Sequence, residues 1–366
     1  MGVPVLKLQT GDPEFATHPE VVEAACASIA AGDTHYTTSR GLIELREAIA
    51  ERYRIESGTA VDPGSEVLVT TGAAQGLYLA LASLVSPGDK VALLEPCYPQ
   101  YGYVLQVLGA IPVPIPADRD MLPDVDALER AAGAGLAGVI VNTPNNPSGV
   151  VYSTAIVDRL AEICGQKGIW LLADEVYRRI VDELKQQPSM LAKSAGQEII
   201  VVDSFSKTYA MTGWRLGYVV ARPELISTML KLMQLNTTCV PEFVQRAGLK
   251  AISSPTVSEY ALQIAATYAR RRQSVWDLIE GTPLEGPRAS GAIYQLLHVG
   301  LSDPDQVLEW IGQLLDQESV AVVPGFAYGT SSAEYVRISI TGDEDDVLEG
   351  VRRVLRFDRR WRSHDE

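Results

Sequence analysis

Cysteine and histidine are scarce in this 366-residue chain, with four of each. Cys26, Cys97, Cys164 and Cys239 are scattered among apolar residues without a C-x-x-C pair, the pattern of buried thiols in a reducing compartment. His18, His35, His298 and His364 show no metal-ligand spacing, which argues against a zinc enzyme. No run reaches the ~18 uninterrupted apolar residues of a membrane span. The amino terminus lacks the basic patch and apolar stretch of a secretory signal. Positive charge is also short, with 31 Lys and Arg against 46 Asp and Glu. The resulting net charge of −15 disfavours nucleic acid and anionic membranes as partners. Neither G-x-G-x-x-G nor G-x-x-x-x-G-K-[ST] follows a strand, and no internal repeat or low-complexity tract is present. A soluble cytoplasmic protein is expected.

What is present is a long chain, 46% hydrophobic, able to bury a sizeable core and to form two domains. Short apolar runs at Glu66–Thr70, Val91–Leu94, Val139–Val141, Ile169–Leu172, Ile199–Val202 and Gly217–Ala221 read as strands buried on both faces. Helical patterns alternate with them; Ile156, Val157, Leu160, Ile163 and Cys164 share one helical face. Upstream, helices are expected over His18–Ala31 and from Leu42 to about Ile55. This alternation predicts an α/β fold with a mostly parallel sheet covered by helices on both sides. Ligands in such sheets gather beyond the carboxyl ends of the strands.

Past about Pro255 the texture becomes α+β. A long helix (about Val257–Ile279) precedes a strand at Ile293–Val299 and a helix carrying Val307, Leu308, Ile311, Leu314 and Leu315. Strands at Val320–Val323 and Tyr335–Ile340 follow, then a helix carrying Val347, Leu348, Val351, Val354 and Leu355. The expected division is a large domain over 32–255 and a small α+β domain over 256–366. Residues 1–31 are expected to pack with the small domain.

One stretch organises the chemistry: Ser204-Phe205-Ser206-Lys207, continuing to Gly213-Trp214-Arg215-Leu216-Gly217-Tyr218. It follows a buried strand and sets one amine, two hydroxyls and one guanidinium at a sheet edge. An amine can form a Schiff base with a carbonyl compound. Arginine with hydroxyls can hold a phosphate. Pyridoxal phosphate asks for both at once. A lone lysine would be read as solvated; the string S-x-S-K-x-x-x-M-x-G-W-R-x-G-Y resembles the cofactor-lysine signature of class I/II aminotransferases, the fold-type I pyridoxal-phosphate enzymes.

Other motifs resemble the same family in its order. Thr71-Gly72-Ala73-Ala74-Gln75-Gly76 joins a strand to an apolar helix, where free backbone N–H groups and the helix dipole favour an anion. The resemblance makes Gly72, Ala73 and Ala74 the phosphate cradle. Some acidic-substrate members carry lysine where this chain has Ala74. Glu95-Pro96-Cys97-Tyr98 follows the next strand, and the resemblance stacks Tyr98 on the cofactor ring while leaving Tyr101 open. Asn142-Thr143-Pro144-Asn145-Asn146-Pro147-Ser148-Gly149 matches N-x-P-x-N-P-[ST]-G. It places Asn146 on the cofactor's phenolic oxygen, and one X–Pro bond there is a candidate for cis.

Asp174 ends a buried strand, a costly place for a carboxylate unless a cation faces it; helix capping is the plainer alternative. The resemblance pairs Asp174 with the pyridine nitrogen and sets Tyr177 beside Asn146. Ser204, Ser206 and Arg215 would hold the phosphate and Lys207 the aldehyde. Arg337, in Tyr335-Val336-Arg337-Ile338-Ser339, can grip a carboxylate with two parallel hydrogen bonds, and in relatives it holds the substrate's α-carboxylate. Phe15, with Glu14, Thr17 and Ala74, is expected near the substrate side chain. Tyr36 in His35–Gly41 matches a tyrosine that reaches the neighbouring subunit's phosphate, so a homodimer is expected.

The function implied is transfer of an amino group between an L-amino acid and a 2-keto acid, with Lys207, Asp174 and Tyr177 as catalytic groups. The same site suits a lyase, cyclase or oxidase. A non-catalytic cofactor-binding regulator would need a DNA-binding unit, and no basic helix-turn-helix pattern exists.

Overall fold

The computed structural model describes residues 4–182, 189–193 and 198–364. Its strands are, in chain order, β1 Leu6–Lys7, β2 Val67–Thr70, β3 Lys90–Leu94, β4 Ile111–Ile115, β5 Leu136–Asn142, β6 Trp170–Asp174, β7 Ile199–Ser204, β8 Gly217–Val220, β9 Tyr294–His298, β10 Val320–Ala321, β11 Val323–Pro324 and β12 Tyr335–Ser339.

Seven strands form the large sheet in the order β2-β8-β7-β6-β5-β3-β4. Strands β7, β6, β5, β3 and β4 pair in parallel, while β8 runs antiparallel to both β7 and β2. Reversing β8 between two codirectional strands brings its first residue, Gly217, to the edge where β2 and β7 end. The residues Thr70, Asn142, Asp174, Ser204 and Gly217 therefore share one rim. Strands β2, β6, β7 and β8 are buried at every position, because helices cover both faces and leave no solvent side to alternate toward. The mostly parallel α/β architecture is the one the apolar runs imply; the six runs are joined by β4 to make seven strands.

Two differences from the sequence pattern have physical causes. Strand β4 (Ile-Pro-Val-Pro-Ile) lies at the sheet edge, where prolines that cannot donate to a ladder are tolerated. The apolar run Val320–Val323 is divided: β10 pairs in parallel with β1, and β11 pairs antiparallel with β12, so the chain changes sheets at Val322.

The small sheet is β11-β12-β9, all antiparallel. Its core includes Leu8, Tyr294, Leu297, Val336, Ile338 and Trp310. The amino-terminal segment divides between the two cores. Leu8 joins the small one, whereas Val21 and Ala25 of helix Pro19–Ala31 join the core under the large sheet. The amino-terminal helix thus packs on the large unit, contrary to the expectation for residues 1–31. Helix Pro255–Ile279 bridges the cores, with Val257 and Ala261 in one and Ile264, Tyr268 and Val275 in the other. Among the described residues no helix is long and apolar enough to cross a membrane.

Candidate active site

A cavity of about 250 Å³ opens at the rim formed by the strand ends, and Gly11 and Tyr294 close it from the small-unit side. The large sheet delivers Asn142, Asp174 and Ser204 from the ends of β5, β6 and β7. Ser206, Lys207 and Arg215 come from the turns just after β7. Ala73 and Ala74 enter from the first turn of helix Gly72–Leu84, and Tyr98 from the loop after β3. Asn146 and Tyr177 complete the set.

Among the described residues no carboxylate lies at ion-pair distance from the amine of Lys207. Its Nζ donates to Gly11 O at 2.5 Å. Burial lowers its pKa to about 8; Asp12 opposes that shift, while the positive charges of Arg337 and Arg215 add to it. Cations that repel one another across a cavity make it complementary to an anion. Arg215 adopts the left-handed region (φ 54°) and anchors Nη1 on Thr212 O at 2.9 Å. Gly72, at φ 74°, lies so close that a Cβ there would stand 2.8 Å from Arg215 Nη2. A Cβ on Gly217 would meet the Ala73 backbone nitrogen at 2.7 Å. The helix start and the β8 edge are thus in backbone contact, which glycine alone permits.

Asp174 is buried, and its carboxyl is raised to about 6, first by desolvation. Tyr101 donates to Asp174 Oδ2 at 2.6 Å, and Val176 N to Oδ1 at 3.3 Å. Among the described groups that bond it, no cation faces this carboxylate. Asn142 ties the neighbouring loops together: its amide donates to Asp174 O at 3.0 Å, and its Oδ1 accepts from Asn146 N at 2.9 Å. The turn after it contains two cis bonds, Thr143–Pro144 and Asn146–Pro147, where one was a candidate. Tyr98 and Tyr101 meet edge-to-face at 5.7 Å.

Arg337, on β12, lies just behind the wall. Its Nη1 donates to Asn146 Oδ1 at 3.1 Å and its Nη2 to Gln9 O at 2.7 Å, while Nε is buried without a hydrogen-bond partner among the described residues. Tyr294 lies under the guanidinium at 4.2 Å and Tyr328 at 5.1 Å. Four expected residues lie elsewhere: Glu14 pairs with Arg271, Thr17 Oγ1 donates to Ala210 O at 2.8 Å, and Phe15 and Tyr36 also stand off the cavity. Phe15 packs edge-to-face on Tyr268 at 5.5 Å, with Arg271 above it, and does not line the cavity. Tyr36 is 85% exposed and borders a separate recess with Phe243 and Pro241. Sequence reasoning passed over Gly11 and Tyr294 and left Tyr101 without a partner. Tyr294 sits in an apolar run where a tyrosine reads as core.

Comparison with known proteins agrees with this geometry. The model of the family "Aminotransferase class I and II" matches residues 3–354. The chain belongs to the class I and II aminotransferases. It is 34% identical to an aspartate aminotransferase of Pyrococcus horikoshii, over 96% of this chain and 90% of that one. It is 33% identical to a (5-formylfuran-3-yl)methyl phosphate transaminase of Methanocaldococcus jannaschii, over 97% and 92%. The solved aromatic aminotransferase from Pyrococcus horikoshii superposes with a TM-score of 0.93 at 31% identity, covering 98% of this chain and 96% of that one.

Aminotransferases of this class depend on pyridoxal phosphate, and the residues of this aminotransferase fit that group. The cavity combines a desolvated amine, a guanidinium beside the start of a helix, and a buried carboxylate. Among the described residues no group of three or more His, Cys, Asp or Glu side chains could hold a metal ion.

Proposed function

We propose that this pyridoxal-phosphate-dependent aminotransferase exchanges an amino group between an L-amino acid and a 2-oxo acid, with Lys207 both holding the cofactor and moving the proton at the substrate Cα. When bound, the cofactor supplies an electron sink for the pair left on that carbon. Gly72, Ala73, Ala74, Ser204, Ser206 and Arg215 would hold its phosphate. Asp174 would hold the proton on its ring nitrogen, Tyr98 would stack on the ring, and Asn146 and Tyr177 would reach its phenolic oxygen. Arg337 binds the α-carboxylate of the donor, and its unpartnered Nε supports that role.

The observation that carries this reading is Lys207 itself. Its amine lines the cavity, donates to Gly11 O and meets no carboxylate at ion-pair distance among the described residues; burial lowers its pKa, which favours the neutral amine that can take a proton. Lys207 Nζ removes the proton from the donor's Cα; in the return half-reaction it gives a proton to the Cα of the product. Asp174 and Arg337 act without moving protons, one by fixing charge, the other by fixing orientation.

We place the enzyme in the cytoplasm, a reading supported by four cysteines that are all unpaired. We also propose a homodimer in which Tyr36 reaches the neighbouring site. An aromatic ring 85% exposed beside an apolar recess supports that assignment.

The test is an amino-acid panel incubated with and without 2-oxoglutarate. New glutamate that requires the acceptor is expected. Acceptor-independent release of pyruvate and ammonia would replace transamination with elimination.

A further inference from the structure

Tyr294 stands at the junction of three groups to which the proposed function gives separate tasks. Its hydroxyl lies 3.1 Å from the hydroxyl of Tyr177, and the two rings meet edge-to-face at 5.8 Å. The face of its ring lies under the Arg337 guanidinium, 4.2 Å from the centroid. Its hydroxyl also fills the space beside Gly11, where a Cβ would come within 2.0 Å of the tyrosine oxygen. Gly11 in turn accepts from Lys207 Nζ. The residue lines the cavity and is 4% exposed.

These contacts are held from one element. Tyr294 begins β9, which pairs with β12 in the register Tyr294↔Ser339 and Leu296↔Arg337. The offset of two residues sets the tyrosine ring and the guanidinium on the same face of the small sheet, as side chains i and i+2 share a face. Strand pairing therefore fixes the arginine against the ring. Arg337 makes its remaining bonds to Asn146 and Gln9 O at its Nη atoms. Neither partner is anionic, so the aromatic face is a substantial electrostatic contact for a buried guanidinium.

We propose that Tyr294 is a positioning residue with two separable parts: its ring holds Arg337 for the substrate carboxylate, and its hydroxyl orients Tyr177. The inference rests on the reading of Arg337 as the carboxylate site. A residue that served only as core would act through stability, and both parts would fail together. The two parts here predict different signatures for two substitutions.

Tyr294→Phe keeps the ring and removes the hydroxyl. It should leave KM for the amino donor and the affinity for unreactive carboxylates unchanged, while shifting the visible absorbance of the cofactor-loaded protein and lowering kcat. Tyr294→Leu removes both. It should also raise KM and the Kd for succinate or 3-phenylpropanoate, measured by calorimetry on the loaded protein, by about tenfold. Tyr294→Met serves the same purpose if the leucine variant folds poorly. Arg337→Gln is the control. If Arg337→Gln weakens carboxylate binding and neither Tyr294→Leu nor Tyr294→Met does, the ring has no such role and the inference falls alone. If Arg337→Gln leaves carboxylate affinity intact, the reading of Arg337 falls and takes the inference with it. An unchanged spectrum in Tyr294→Phe would remove the role given to the hydroxyl.

Discussion

Tyr101 donates a hydrogen bond from its hydroxyl to Asp174 at the buried rim of the large sheet, at 2.6 Å. The tyrosine comes from helix Gln100–Val107 after β3, and the aspartate ends β6. Strand β5 lies between β3 and β6, so the pair spans a neighbour and exists only once the sheet has formed.

The carboxylate is held at a cost to the cofactor-free protein. Its pKa is raised from an unfolded value near 3.8 to about 6. The folded state therefore binds a proton more tightly than the unfolded state. No penalty exists below pH ~3.8; it grows as pH rises to about 6 and is then constant. Asp174→Asn should stabilise the cofactor-free protein by about 1–3 kcal/mol at pH 7.5 and by little at pH 4, while turnover falls. Urea unfolding at the two pH values checks this. A variant equally stable or less stable at pH 7.5 would contradict the electrostatic account.

Lys207 has the opposite sign. Its pKa is depressed to about 8, so the folded state disfavours the ammonium below that pH and the penalty fades as pH rises toward 10.5. In the cofactor-free protein, reductive methylation of Lys207 should show a pH midpoint near 8, against the ~10.4 expected of solvated lysines. Peptide mass spectrometry across pH reads the midpoint. A midpoint equal to that of the surface lysines would show an ordinary amine.

The glycines of the cradle should be intolerant of a methyl group. Gly217→Ala would drive a Cβ against Ala73 N and Gly72 C at 2.7 Å and Asp203 O at 2.9 Å, all backbone atoms that cannot swing away. Overpacking of this kind costs about 1–3 kcal/mol, and here it would spread the helix start from Arg215. The expected result is at least tenfold weaker retention of pyridoxal phosphate, read by fluorescence titration. Unchanged retention would mean the cradle is not where the phosphate sits.

Glu95 ties the large sheet to the loop preceding β12. Its Oε2 accepts from Thr330 Oγ1 at 2.8 Å, Ser331 N at 3.0 Å and Ser331 Oγ at 3.2 Å, while Cys97 N donates to Tyr328 O at 2.9 Å. Glu95→Ala leaves those donors without their anion and should cost about 1–3 kcal/mol in equilibrium unfolding. Because Tyr328 also flanks Arg337, KM for the amino donor should rise with it. A stability loss with KM unchanged would separate this tie from the site.

Much of this was legible in the linear chain. Lys207, Asp174 and Asn146 follow apolar runs that fold as buried strands and Arg215 precedes one, and the cavity gathers all four with Tyr98, Tyr177, Ala73, Ala74, Ser204 and Ser206. What stayed hidden depends on pairing between distant segments. Strand β4 was masked by Pro112 and Pro114, which an edge tolerates and a central strand does not. The division at Val322 reflects two partners, β1 and β12, competing for one short run. Tyr294 and Tyr101 are core tyrosines by local pattern; only the β9–β12 register and the sheet order bring them to Arg337 and Asp174. Phe15 lies with Tyr268 and Arg271, contacts made across hundreds of residues of sequence.

The most direct test of the central claim is borohydride reduction of the protein loaded with pyridoxal phosphate, followed by digestion and mass spectrometry. The reduced cofactor's mass should be fixed on the peptide containing Lys207, and Lys207→Ala, still folded by circular dichroism, should neither retain that mass nor turn over. Cofactor fixed on another lysine, or turnover by the Lys207→Ala protein, would contradict it.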